Sequence, residues 1–223
     1  EGIVNADYIP LVGGDGYEAV TDPDNDYIIY CQWQYGGLTR HDLQSGEITS
    51  IKPQEGKDEP PYRWNWDTPL IVSPHANRLY AAANKIFRSD DKGNTWTVIS
   101  PDLTRQVDRN KLTIMDKVWS VDAVAKNAST SFYGNIVSLT ESPLVEGLIY
   151  AGTDDGLVQV TEDGGKNWKK IESFPDIPEM TYVSCLYASR FEANTVYATF
   201  DNHKRADFKP YILVSKNRGN SWE

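Results

Sequence analysis

Three of the carboxylates in this chain of 223 residues sit in surroundings that suit chemistry: Asp15, Asp67 and Asp154. Asp15 lies in Gly13-Gly14-Asp15-Gly16-Tyr17, Asp67 closes Tyr62-Arg63-Trp64-Asn65-Trp66-Asp67, and Asp154 opens Asp154-Asp155-Gly156. The glycines flanking Asp15 permit close backbone approach of a ligand. Aromatic and amide side chains form a second set of candidates: Trp64, Trp66, Tyr133, Asn135 and Tyr182. Flat rings beside a few polar groups suit sugars, and carboxylates suit sugar hydroxyls or cationic peptide groups. Two such carboxyls can also act as acid and base in inverting glycoside hydrolysis, which needs them about 6.5–9.5 Å apart. Asp15 and Asp67 are the expected pair, with Asp154 in reserve. Plainer roles compete with these: Trp64 and Trp66 can pack between sheets, and Asp-Gly is a leading hairpin turn.

Composition narrows the partners. The formal net charge is -10, which argues against nucleic acid or an anionic membrane surface, since both need basic patches. No apolar run is long enough to span a bilayer, so no membrane insertion is expected. The expected partner is a glycan or an extracellular protein segment, and the expected location is secreted, periplasmic or cell-surface. No metal or cofactor is expected. His41, His75 and His203 are scattered, and Cys31 and Cys185 lack metal-ligand spacing. Both cysteines sit in apolar, strand-like text and read as buried free thiols. Asn127-Ala128-Ser129 is a formal glycosylation sequon.

What must position the candidates is a repeat. Ser89-Asp90-Asp91-Lys92-Gly93-Asn94-Thr95-Trp96 recurs as Thr161-Glu162-Asp163-Gly164-Gly165-Lys166-Asn167-Trp168 and as Ser215-Lys216-Asn217-Arg218-Gly219-Asn220-Ser221-Trp222. Each reads as a hairpin turn. The Asp or Asn accepts from turn N–H groups, the Gly supplies positive φ, and the Trp packs against a neighbouring repeat. The structural residues of the three turns are therefore Ser89, Asp91, Gly93 and Trp96; Thr161, Asp163, Gly165 and Trp168; and Ser215, Asn217, Gly219 and Trp222. A fourth, degenerate copy spans Thr39 to Glu47 and lacks the Trp.

A second marker supplies the frame. Pro23, Pro74 and Pro143 each precede a strand start ending in Tyr30, Tyr80 and Tyr150, and Arg190 takes that place before Tyr197. Four short antiparallel strands per repeat of roughly fifty residues is the pattern of a propeller blade. The fold class is all-β: a single β-propeller with four recognisable four-stranded blades at about 13–53, 62–101, 131–174 and 179–223, and an insertion at 102–130. A further insertion, Asp201 to Pro210, lengthens the last blade's second hairpin. Trp222 leaves no room for a fourth strand in that blade. Residues Ile3 to Val12 could supply it; the reading preferred is a segment of a larger propeller of seven or more blades, completed by its remainder or by a second copy.

The phrase resembles the Asp-box, or bacterial-neuraminidase repeat, of sialidases, sortilin-type receptors and several glycoside hydrolases. A narrower likeness rests on Tyr62 to Pro69, Ser73-Pro74-His75, Ile99 to Thr104, Glu141-Ser142-Pro143 and Gly152 to Leu157. These resemble a bacterial family of sortilin-like Asp-box propellers often labelled glycosyl hydrolase. That resemblance implies the fold; no catalytic residue carries over, and fold does not imply function.

Loops alternate between the two ends of an antiparallel blade. The repeat turns join third and fourth strands, so strand-one entries and the hairpins between strands two and three gather at the opposite end. That end holds Asp15, Trp66, Asn135 and Tyr182 at equivalent places around the channel mouth. The expected function is recognition of a glycan or protein segment there. The alternative is an inverting glycoside hydrolase acting on a polysaccharide.

Overall fold

The turn phrases dictate their own local structure. Ser89 Oγ donates to Asp91 Oδ1 (2.8 Å) and accepts from the Gly93 amide (2.8 Å), while Asp91 accepts from the Thr95 amide (2.8 Å) and hydroxyl (2.6 Å). Thr161, Asp163, Gly165 and Asn167 repeat this network at 2.7–2.9 Å. Ser215, Asn217, Gly219 and Ser221 do so at 2.8–2.9 Å, with Asn217 Oδ1 accepting from the Ser215 hydroxyl and the Ser221 amide while its Nδ2 donates to the Ser221 hydroxyl. Gly93, Gly165 and Gly219 take φ of +82°, +101° and +79°, which side-chain-bearing residues adopt only under strain.

A computed structural model describes residues 2–124, 126 and 132–223. Four antiparallel sheets follow in chain order. The first contains β1 (Ala19–Asp22), β2 (Asn25–Trp33), β3 (Gly37–Asp42) and β4 (Ile48–Ser50); the second contains β5 (Leu70–Val72), β6 (Leu79–Ala82), β7 (Ile86–Ser89) and β8 (Thr97–Val98). A short hairpin, β9 (Thr113–Ile114) with β10 (Lys117–Val118), lies within the insertion. The third sheet contains β11 (Ile136–Glu141), β12 (Ile149–Thr153), β13 (Val158–Thr161) and β14 (Lys169–Ile171). The fourth contains β15 (Tyr182–Ala188), β16 (Val196–Asn202) and β17 (Asp207–Ser215). Strands pair in simple sequence order, and the first strands β1, β5, β11 and β15 contact their neighbours in turn. They therefore line the axis. The fold is a β-propeller arrangement of radial blades.

Each blade junction is an apolar core with the same fastening. Between the first two blades lie Ile28, Tyr30, Leu38, Ile51, Leu70 and Leu79; between the next two, Tyr80, Ile86, Leu103, Ile136 and Ile149; between the last two, Tyr150, Val158, Val160, Val183, Leu186 and Phe200. Trp96 packs on the first core and donates from Nε1 to the Ile51 carbonyl (2.7 Å). Trp168 packs on the second and donates to the Ile99 carbonyl (3.1 Å). Both isoleucines directly follow the outermost strand of the preceding blade. A Cβ on Gly165 would lie 2.4 Å from the Ile99 oxygen, so that turn is glycine for space as well as for φ. Trp222 packs on the third core, but its Nε1 is buried without a partner among the described residues.

The fourth sheet has three strands, as expected for a last blade without its own fourth strand; Glu223 exchanges both backbone hydrogen bonds with Val214 (2.8 and 3.0 Å), at the register where Thr97 pairs with Arg88 and Lys169 with Val160. Two expectations need correction. Residues 3–12 form no strand there. They contain a single turn at Asn5–Asp7, with Ile3, Val4, Tyr8 and Ile9 exposed. Cys31 is buried as expected but Cys185 is exposed, because Val183, Leu186 and Ala188 are the β15 residues turned into the blade junction. The sequon at Asn127 lies outside the described residues.

Candidate functional site

The ends of the strands away from the repeat turns enclose a cleft of about 640 Å³. Three strand-one entries contribute Asn65 and Trp66, Phe132 and Tyr133, and Met180 and Tyr182. Two hairpins contribute Asp154, between β12 and β13, and Asp201, Asn202, Lys204 and Arg205, at the end of β16 and in the turn leading to β17. Three blades thus meet in one hollow with an aromatic wall and a few charged groups, the usual make-up of a binding site.

Asp154 is the most constrained of these groups. Its Oδ1 accepts from the backbone amides of Gly134 (3.0 Å) and Asn135 (2.8 Å), and its Oδ2 accepts from the Asn135 side-chain amide (3.2 Å). Burial nevertheless dominates. With the adjacent Asp155 charge it overcomes those donors and the Lys204 charge, and pushes the Asp154 carboxyl up to about 7. The hairpin beneath is locked. Asp155 is fully buried, accepts from Thr153 Oγ1 (2.6 Å) and the Arg105 amide (2.8 Å), and gives its carbonyl to Arg105 Nε (2.8 Å). Gly156, at φ +80°, sits where a Cβ would lie 2.7 Å from Met180 Cα. The start of the insertion therefore braces the cleft carboxylate.

A second brace holds the Tyr133 segment. Arg63 donates from Nε to the Gly134 carbonyl (3.0 Å), and from Nη2 to Asp102 (2.7 Å) and Thr104 (2.9 Å). Burial opposes ionisation of Asp102, but hydrogen bonds from Thr104, Arg63 and Asn84 outweigh it and hold the carboxyl below its usual range. Tyr133 and Tyr182 are both half-buried. Burial pushes each hydroxyl up to about 12, assisted by Asp155 and Asp154 at Tyr133, and by Asp154, Asp67 and Asp201 at Tyr182. Both remain hydrogen-bond donors throughout the neutral range.

The nominated residues separate into two groups. Trp66, Tyr133, Tyr182 and Asp154 come together on the cleft wall. Trp64 does not. It is 5% exposed, stacks on Phe87 at 5.4 Å and closes on Gly36, so its ring belongs to the core. Asn135 is fully buried and serves Asp154 as a donor, with its own Oδ1 unpartnered among the described residues. Asp15 and Asp67 are exposed and absent from the wall of the cleft. They share a neighbour in Tyr17, whose hydroxyl both hold up after burial has done so first. Burial also raises the Asp67 carboxyl, against a hydrogen bond from Gln32 (3.3 Å). The pair proposed for acid and base thus lies beside the cleft rather than across it. Residues unforeseen in the sequence are Arg105, Lys204 and Arg205; the only signal for them was membership of the two insertions. Among the described residues no group of His, Cys, Asp and Glu is arranged to hold a metal, and no helix is long and apolar enough to cross a membrane.

The chain matches no family model and no curated protein. Solved structures are similar at low identity. A GH74 enzyme from Niastella koreensis superposes with a TM-score of 0.59 at 17% identity over 96% of this chain and 30% of its own. The GH74 xyloglucanase from Xanthomonas campestris gives 0.60 at 18%, over 96% of this chain and 31% of its own. An extracellular domain of a one-component system from B. thetaiotaomicron gives 0.54 at 15%, over 90% and 21%. The likeness shows the propeller fold, and the chain spans about a third or less of these proteins.

Proposed function

We propose that the cleft is a carbohydrate-binding site on a propeller scaffold, with a location outside the cytoplasm. The observation that carries this reading is the cleft wall itself. Trp66, Tyr133 and Tyr182 offer rings for stacking around Asp154, a carboxyl whose orientation is set by three N–H donors. Likeness to glycoside hydrolases supports a sugar over a protein segment as occupant. A second reading, an inverting glycoside hydrolase, draws support from one feature. A carboxyl titrating at about 7 is suited to donate a proton to a glycosidic oxygen. The other carboxylate on the wall is Asp201, which accepts from the His203 amide (2.8 Å).

The test is a glycan array with a parallel polysaccharide-hydrolysis assay on wild type, Trp66→Ala, Asp154→Asn and Asp67→Asn. Binding without reducing-end release, weakened about tenfold or more by Trp66→Ala, is expected. Release abolished by Asp154→Asn would transfer the assignment to the hydrolase.

A further inference from the structure

We infer that the cleft selects sugars bearing carboxylates, that is uronate residues, with Lys204 and Arg205 supplying the opposite charge; this rests on the carbohydrate reading above. Both side chains come from the turn His203–Arg205 between β16 and β17, and both are exposed on the cleft wall. Among the described residues neither has a carboxylate within ion-pair distance. Several other arginines are neutralised, among them Arg63 by Asp102 (2.7 Å), Arg78 by Asp90 (2.7 Å) and Arg218 by Glu162 (2.7 Å), whereas Arg40 and Arg190, away from the cleft, are held by neutral acceptors. Arg205 is likewise fixed through Nη1 to the carbonyl oxygen of Glu179 (2.6 Å), which orients the guanidinium and leaves its charge uncancelled.

The charges bear on the cleft. Lys204 acts on the Asp154 carboxyl and Arg205 on the Tyr133 hydroxyl. The two carboxylates of the wall are engaged elsewhere, Asp201 by the His203 amide (2.8 Å) and Asp154 by the amides of Gly134 (3.0 Å) and Asn135 (2.8 Å) in the segment before β11. In a chain of net charge -10, a wall on which Lys204 and Arg205 match Asp154 and Asp201 in number is locally less acidic than the whole. Charge-assisted, bidentate recognition by Arg favours a planar carboxylate, and the rings beside it favour a sugar over an acidic peptide.

The experiment compares a galacturonate tetramer with its fully methyl-esterified form by calorimetry, alongside a neutral xyloglucan oligosaccharide and a glutamate peptide. The acid form is expected to bind about tenfold or more tighter than the ester, with the advantage shrinking in added salt. Lys204→Ala and Arg205→Ala should each reduce that preference, with unchanged melting because both side chains are exposed. Lys204→Arg should retain it. Equal affinity for acid and ester, a preference untouched by both substitutions, or binding of the peptide in place of sugars would overturn the inference. A neutral oligosaccharide bound as tightly would also overturn it, yet leave the carbohydrate reading standing. Failure of every sugar would remove both.

Discussion

Asp154 and Asp163 stand at the two ends of the same strand, β13, and their carboxyls are driven in opposite directions. Asp163, in the repeat turn, is exposed and takes hydrogen bonds from Asn167, Thr161 and the backbone, which hold it down at about 2. Asp154, in the hairpin at the other end, also receives N–H donors but is buried beside Asp155, and is pushed up to about 7. Similar donors thus give opposite outcomes, because desolvation is negligible at one end and dominant at the other. The difference separates a stabilising device from a reactive or binding one. The turn end stabilises through its charge, whereas the cleft end holds its charge at a cost in stability.

Three substitutions test that separation, beginning with the largest effect. Gly165→Ala forces a Cβ against the Ile99 carbonyl at 2.4 Å and φ of +101°. It should cost about 3 kcal/mol or more and lower Tm by roughly 6–12 °C, measured by calorimetry. A mild effect would mean that the turn end does not fasten the blades. Asp154→Asn should act with the opposite sign near neutrality. A raised carboxyl contributes stability that is full below pH 4 and lost as pH rises through 7. The variant escapes that loss, so it should match wild type near pH 4 and exceed it by of order 2 kcal/mol above pH 7. A gap that does not widen with pH would dismiss the burial account.

The smallest effect belongs to Asp163→Ala. A depressed carboxyl contributes stability that is present above pH 4 and lost as pH falls through about 2. The variant should melt a few degrees lower than wild type at neutral pH, and the deficit should shrink in acid. A deficit independent of pH would assign the turn's role to shape rather than charge.

Legibility followed the range of the interactions. The repeat turns were readable because the network that shapes each of them, from Ser89 to Thr95 in the first, spans four residues or fewer per hydrogen bond. The end of the molecule holding the cleft could be deduced from strand alternation, which is why Trp66, Tyr133, Tyr182 and Asp154 were nominated. Trp64 was misassigned because alternation cannot say which of two tryptophans, two positions apart, meets Phe87 in the core. Arg105 was missed because its partner Asp155 lies fifty positions away.

By itself the sequence determined the repeated turns, the strand order within each blade and the all-β propeller class, since these depend on local backbone preferences and periodicity. The tertiary structure alone decided which aspartate is buried, which rings face the cleft and which cations stand uncompensated on its rim. Those properties depend on desolvation and on distances between residues as far apart as Trp66 and Arg205, which only packing of the blades sets.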